Sequence, residues 1–506
     1  NENSSLLTDS LNYFYLNRAD NIRSEYITSG NGSKLARMSA NRDRSAYVQN
    51  IWKREYSSRS EAAEHASSSI DVSGGWYDEA NCNKYVVNGG MTVWTLQNMY
   101  EMSLMNNVSK KFEDGSGTVV IPETGNSIPD ILDEAAYELD WMEKMTVKED
   151  DPAWGKYAGM VYHSVEDYRT DLMDPFSGYD YECEPEPQIV KPPTFAATLN
   201  YAACAAQAAR LWAPYDSEKA AAYLEKAKTA YEAYLKNYYE PDLTEAIDEA
   251  NVYTVREALN ETSLYAPAMR RVTPSYSDYD VKDDAYWAAC ELYVSAKEMG
   301  DPDADKYFSE IKEYNGAFEV PVSIEGGENK AGSLTSFNWG NTAAAGTMTL
   351  NLHTEVLPES DAKAVKEAVI EAADVYVETE NEQGYGSPYL YDRSKEGYEF
   401  DPFKTVINGY QYASNSMVIN NAVIMAYAYY QTNDLKYING VTAAMDYLLG
   451  TNPLSVSYIT GYGEYHAENP YHCYWKNEFD KTLPKAPDGV LVSGPNAGLQ
   501  DYYMRL

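Results

Sequence analysis

The sequence predicts an all-α protein, a barrel of helical hairpins that carries its function in its loops. Three observations predict this class. From about residue 90 onward one amphipathic helical period follows another, divided by Pro, Gly and Asn/Asp turns. Sustained period-two alternation is rare. The long aromatic-rich loops near residues 106–127, 147–191, 240–280 and 379–412 exceed what a connector needs, which marks them as functional. No Pro/Gly/Ser-rich linker or low-complexity tract interrupts the chain, so one domain over residues 1–506 is expected.

In chain order, the helical period covers Met91 to Met105, Ile128 to Met145, and then Thr194 to Trp212 with Cys204 in an Ala-rich stretch. Ser217 opens an Ala/Glu/Lys-rich run to Tyr239, and a further helix is expected from Asp283 to Lys297 around Cys290. Thr342 to His353 follows. Pro358-Glu359-Ser360 then starts a helix reaching Glu378. The last two periods run from Ser414 to Gln431 and from Asn439 to Leu449, where Gly450 is placed as a C-cap.

Composition narrows the function. The 506 residues hold 40 Lys plus Arg against 78 Asp plus Glu, a net charge of −38, which argues against nucleic acid or an anionic membrane as partner. No run of about 18 apolar residues is present to span a bilayer. The polar start, Asn1 to Ser10, has no signal-peptide pattern, so an exported protein would already have lost its signal. Tyrosines number 48 against 10 Phe and 9 Trp; their flat faces and polar tips suit wet stacking surfaces such as sugar clefts, or else reflect a lineage preference. The five cysteines form an odd set without CxxC pairs, so neither a disulfide framework nor a zinc site is expected.

Several motifs then occur in a fixed order. They include Asp71-Val-Ser-Gly-Gly-Trp-Tyr-Asp78, Lys84-Tyr-Val-Val-Asn-Gly-Gly90, and Pro122-Glu-Thr-Gly-Asn-Ser-Ile-Pro-Asp-Ile-Leu-Asp-Glu-Ala135. Further along stand Asp283-Asp-Ala-Tyr-Trp287, Trp339-Gly-Asn-Thr-Ala343, Leu448-Leu-Gly-Thr-Asn-Pro-Leu454 and Gly489-Val-Leu-Val-Ser-Gly-Pro-Asn-Ala-Gly-Leu-Gln-Asp501. Together they resemble glycoside hydrolase family 9, the inverting endoglucanases, over most of the chain. The resemblance implies an (α/α)6 barrel of six helical hairpins with an open cleft for a β-1,4-glucan. It also implies an extracellular or cell-surface setting, with a place in a larger multi-module assembly open.

Inverting hydrolysis needs a carboxylate base for the water and a carboxylic acid for the leaving oxygen. Where the family pattern runs Asp-Ala-Gly-Asp-His-Gly-Lys-Tyr, this chain reads Asp78-Glu79-Ala80-Asn81-Cys82-Asn83-Lys84-Tyr85. Asp78 preserves the first carboxylate, but Asn81 stands where the resemblance puts the base, and an amide cannot take a proton at neutral pH. Asp78 or Glu79 could substitute. After Asn469-Pro470 the family's sugar-gripping His-His-Arg is Tyr471-His472-Cys473; Tyr471 can still bind sugar by stacking or a hydrogen bond, Cys473 lacks an arginine's forked donor, and His472 reads as structural or as sugar-binding. The family's acid is a Glu well beyond Gly494-Pro495-Asn496, and the chain ends at Leu506 without it; the expectation is a barrel lacking the family's C-terminal segment.

By the same resemblance Trp76, Tyr77, Tyr276, Tyr279, Trp339, Tyr410 and Tyr412 belong to groove-lining loops, with Tyr412 the best-aligned stacking residue. Core packing is the competing reading for Trp76 and Trp339. The family's Trp platform is missing around Tyr168-Arg169. No cofactor is required. Calcium is possible at Asp280, Asp283 and Asp284, where some relatives hold it, although acidic residues at a helix start also compensate the helix dipole. The expectation is therefore β-1,4-glucan recognition with catalysis lost or severely weakened. The alternatives are an active inverting endo-β-1,4-glucanase, with its general acid in an omitted C-terminal tail and Asp78 or Glu79 as base, and a scaffold without sugar binding.

Overall fold

A computed structural model describes residues 5–497 apart from 31, 39–43, 54–55, 57, 79–81, 168–187, 242–262, 267–275, 325–332, 392–397, 401–404, 408, 471, 473 and 479–480. The described residues form thirteen α-helices and eleven strands of two to five residues. None of these helices is long and apolar enough to cross a membrane. The chain divides into two compact units.

The first unit combines Asn1–Ala246, Val255–Tyr276 and Glu468–Val490. Its helices are α1 (Leu6–Asn17), α2 (Gly32–Leu35), α3 (Arg59–Glu64), α4 (Val86–Met105), α5 (Asp130–Lys144), α6 (Phe195–Trp212) and α7 (Ser217–Asn237). Every residue of the Ala-rich α6 is buried, with α4 and α7 packed against it. Small side chains let these helices approach closely, and the Arg210 Nε and Nη2 atoms reach Glu101 on α4 at 2.6 and 2.9 Å. A buried pair of this kind needs both partners, since a lone charge there is costly. By contrast α7 is amphipathic, capped by Asp216, which accepts the N–H groups of Glu218 and Lys219.

Beside the helices lies a five-stranded sheet of β1 (Ala46–Gln49), β2 (Ala66–Ile70), β3 (Lys84–Tyr85), β5 (Ser164–Asp167) and β6 (Gln188–Val190), while β4 (Val161–Tyr162) pairs elsewhere. The order is β2-β1-β6-β5-β3, with only β1 and β6 parallel. Lys84 pairs with Val165 and Tyr85 with Ser164, so the sheet edge leads directly into α4.

The second unit combines Ile247–Thr254, Ser277–Ala467 and Leu491–Leu506. It holds α8 (Lys282–Met299), α9 (Ala304–Glu313), α10 (Ala343–Leu352), α11 (Glu359–Glu382), α12 (Ser414–Thr432) and α13 (Leu435–Leu448). All ten residues of α10 are buried, against α8 and α11. α8 ends at Gly300, whose φ of 71° is a glycine C-cap.

All nine helices expected from periodicity are present, with ends displaced by up to five residues. The largest displacement is at α4, which starts at Val86 and takes Gly89 and Gly90 into its first turns. A Cβ at Gly89 would collide with the Glu138 carboxylate of α5, so this glycine serves helix packing rather than a turn. No disulfide framework was expected, yet Cys82 is disulfide-bonded. No other cysteine is near it in sequence, so spacing held no trace of the bond. Cys204 and Cys290 are buried and free, as expected.

Candidate functional site

The turn that presents Asp78 is held from beneath by buried charge. Lys84 is fully buried and donates through Nζ to the carbonyls of Val72 and Gly74, at 2.5 and 2.8 Å. Glu138 accepts the Trp76 N–H at 2.5 Å, and Glu134 accepts the Trp76 indole N–H at 2.9 Å. Glu134 is in turn gripped by Arg18, from Nε at 3.2 Å and Nη2 at 2.9 Å, while Nη1 reaches Glu123 at 2.9 Å. Gly75, at φ 78°, passes so close to Trp141 that a Cβ would lie 2.7 Å from the ring. Burial pushes the Glu138 carboxyl up to about 8, against the opposing pull of the Trp76 N–H and Lys84.

Asp78 sits on this support and is 7% exposed. Its Oδ1 accepts the Asn88 amide at 3.0 Å, and the Tyr276 hydroxyl lies 3.1 and 3.3 Å from its two oxygens. Tyr276 meets Tyr85 edge-on at 5.0 Å. Asn83 is fully engaged: its amide donates to the Tyr85 hydroxyl at 3.0 Å and its Oδ1 accepts the Asp167 N–H at 2.9 Å. Glu79 and Asn81 lie outside the described residues.

The segment around His472 is fastened to this same turn. Asn17, at the end of α1, gives its carbonyl to the Tyr77 N–H at 2.8 Å and its side-chain oxygen to His472 Nε2 at 2.8 Å. His472 Nδ1 accepts the Tyr474 N–H at 3.1 Å, so both ring nitrogens have protein partners. The ring is 1% exposed and stacks on Trp475 at 3.5 Å. Burial, reinforced by Arg37 and Lys476, pushes its pKa well down and keeps it neutral. That is the geometry of a structural histidine. Tyr474 continues the link: its ring lies 5.8 Å from Tyr77 and its hydroxyl 3.6 Å from the Cys82 sulfur. Trp76 is 7% exposed and packs on Phe14 at 5.3 Å, as part of the core. Tyr471 and Cys473 lie outside the described residues, as do Tyr168 and Arg169.

Other candidates belong to the second unit. Tyr412 is 40% exposed, with its hydroxyl 3.3 Å from Ser493 Oγ. Tyr410 is half-buried beside Tyr389 and Tyr391, and Trp339 is half-buried on the turn closed by Asn338 and Asn341. An exposed ring such as Tyr412 has a face available for the CH surface of a sugar.

The acidic cluster at the start of α8 differs from the expected set. Asp278, Asp283 and Asp284 each turn one oxygen toward a common point, the three atoms lying within 4.8 Å of one another. Asp280 is exposed and outside the cluster; its N–H donates to Asp278 Oδ1 at 3.1 Å. Thr342 supports the other two, its N–H reaching Asp283 at 2.7 Å and its hydroxyl Asp284 at 3.0 Å. Asp278 Oδ2 and Asp283 Oδ1 are buried without a hydrogen-bond partner among the described residues. Burial and mutual repulsion push all three carboxyls up, Asp283 to about 7. Dipole compensation alone does not require carboxylates to converge, whereas a hard, oxygen-seeking cation fits such a donor set.

The chain matches Glycosyl hydrolase family 9 across residues 4–505. It belongs to that family. Over 437 residues it is 38% identical to a cellulose 1,4-beta-cellobiosidase of Acetivibrio thermocellus, covering 85% of this chain and 44% of that protein. Endoglucanase C of Cellulomonas fimi is 34% identical over 499 residues, 97% of this chain and 38% of its own length. A xyloglucan-specific endo-beta-1,4-glucanase of Bacteroides ovatus is 30% identical over 447 residues, 86% of this chain and 63% of its own. The chain thus spans between about two fifths and two thirds of these relatives. Among solved structures, a family 9 protein of Bacteroides ovatus superposes with a TM-score of 0.69 at 26% identity, covering 98% of this chain and 77% of that one. A metagenome-derived family 9 endoglucanase gives the same TM-score at 24% identity, over 97% and 72%. The (α/α)6 barrel of these neighbours is the expected fold class.

Within this family 9 chain, sequence reasoning missed Asn88, Glu138, Asp278 and the Arg18–Glu134 pair. Glu134 and Glu138 did leave a signal, two acidic residues four apart and so on one helix face. Arg18 left none.

Proposed function

We propose that this chain recognises a β-1,4-glucan outside the cell, with hydrolysis lost or severely weakened. The observation that carries this reading is Asn81, an amide where the family's base stands and unable to accept the proton of an attacking water. Its neighbours support it. Cys82 is tied into a disulfide and Asn83 spends both ends of its amide on Tyr85 and Asp167, so the departures are integrated into the fold. Tyr412, Tyr410 and Trp339 supply aromatic surface in the second unit, and relatives named for cellulose and β-1,4-glucan support that ligand class. Calcium at Asp278, Asp283 and Asp284 would discharge their repulsion, a structural role.

An active endoglucanase using Asp78 as base is the second reading, favoured by a carboxylate that the Tyr276 and Asn88 donors hold in place. Two assays on the full-length natural protein separate the readings. Retarded migration in a gel containing soluble β-1,4-glucan, weakened about tenfold by Tyr412→Ala, without release of reducing ends, is the expected result. Reducing ends that Asp78→Ala abolishes would instead establish the hydrolase. Unretarded migration would remove glucan recognition altogether.

A further inference from the structure

A second group of metal-type side chains lies in the second unit, at the opposite end of α8 from the aspartates. Glu298, His353 and Glu355 each turn one ligating atom to a common point, the three atoms lying within 4.8 Å of one another. Glu298 stands one residue before the end of α8, His353 caps the C-terminus of α10, and Glu355 belongs to the 3-10 turn Thr354–Val356 that follows. This turn is fixed to α8, because the Tyr293 hydroxyl donates to the Val356 carbonyl and the Val356 N–H to the His353 carbonyl. The imidazole is buried, with 5% of its side chain exposed, whereas the Glu298 and Glu355 side chains reach solvent at 37% and 66%.

Charge and geometry both point to a cation here. Two carboxylates meet at two helix C-termini, where the partial charge is already negative and an acidic side chain has the wrong sign. The neighbouring Lys297 is engaged by Asp305 at 3.0 Å, and neither Glu298 nor Glu355 has a lysine or arginine partner among the described residues. His353 Nδ1 lies 2.9 Å from Glu298 and 3.5 Å from Glu355. A proton on Nδ1 serves only one of them, and the longer separation exceeds an ordinary hydrogen bond. A metal serves both. The two separations bracket the roughly 3.3 Å edge of a tetrahedron with bonds of about 2.0–2.1 Å.

We propose that Glu298, His353 and Glu355 bind a divalent first-row transition metal, zinc being the best fit, with water completing four-coordination. An imidazole nitrogen beside carboxylates suits zinc, whereas calcium takes roughly six to eight oxygens and belongs with the aspartates. The ion ties the end of α8 to the turn after α10, a staple inside the second unit.

Titration calorimetry of zinc chloride into the untagged, chelator-stripped full-length protein tests this. Zinc should bind saturably and raise the melting temperature, and both effects should persist in Asp278→Asn with Asp283→Asn. Glu355→Gln and His353→Gln should each weaken that binding at least tenfold, since changes even beyond the ligands themselves cost about 10–100-fold. Glu355 is exposed, so Glu355→Gln should melt with the metal-free wild type when zinc is absent, which separates ligation from folding. Calcium at equal concentration should not displace the zinc. No saturable binding would leave a protonated His353 between two carboxylates and overturn the proposal. So would an affinity unchanged in Glu355→Gln, zinc binding lost with the aspartate pair, or displacement by calcium.

Discussion

Exchanging Glu138 for glutamine should stabilise this protein in alkali and leave it nearly unchanged in acid. Glu138 is buried beneath the Asp78 turn, and its carboxyl is pushed from 4.5 up to about 8. Below pH 4.5 the folded and unfolded chains both keep the proton, so the contribution to stability is whole. Between about 4.5 and 8 the unfolded chain ionises while the folded one does not, and stability falls by ~1.4 kcal/mol per pH unit. Above 8 both forms are ionised and the loss levels off. Glutamine does not titrate, keeps the size of the side chain and still offers an oxygen to the Trp76 N–H. From pH 5 to pH 9 the stability difference between variant and wild type should therefore grow by ~4 kcal/mol in favour of the variant, as the rise in the carboxyl implies. Guanidinium unfolding of both proteins at each pH reads this difference directly. Parallel stability curves would refute the claim that Glu138 is held uncharged in the fold.

Three further outcomes are expected. Calcium chloride at a hundredfold excess over its dissociation constant should add ~2.7 kcal/mol of stability; a melting temperature that does not move, or a response that survives Asp278→Asn with Asp283→Asn, would reject the cluster as a cation site. Gly89→Ala should cost about 1–3 kcal/mol, because the new methyl meets the Glu138 carboxylate, and a denaturation midpoint equal to wild type would show that α5 can yield. Arg18→Met should cost about 3–5 kcal/mol by stranding Glu134 in the core, and adding Glu134→Gln should recover much of it; additive losses would mean the two do not act as a pair.

Much of the helical framework was legible because it rests on local regularities. The runs that became α6 and α7 carry their apolar period and start signals within themselves, and so does α8. The five-stranded sheet was not, because its strands are short and several are buried on both faces, which removes the alternation that marks a strand. At the site, Asp78 and Tyr412 were recognisable through motif resemblance, and their surroundings were not. Asn17 holds a histidine 455 positions away, and Arg18 reaches 116 positions to Glu134, pairings that no local pattern encodes. The aspartates were readable only in part: helix-start acidity marks Asp283 and Asp284, while Asp278, which joins them, precedes the helix. Asp280, two residues nearer in sequence, points elsewhere.

The clasp between Asn17 and His472 also sets a timetable for synthesis. Asn17 leaves the ribosome long before His472, and the segment that completes its unit begins about 220 residues after the main body of that unit ends. At roughly 5–20 residues per second, that interval is on the order of ten to forty seconds. Throughout it, the surfaces destined for Trp475 and Tyr474 face water, beside an Arg18–Glu134 pair already able to form. A nascent chain of this protein therefore passes through a defined vulnerable period, when the seat of the late-arriving segment on the first unit is open to a chaperone.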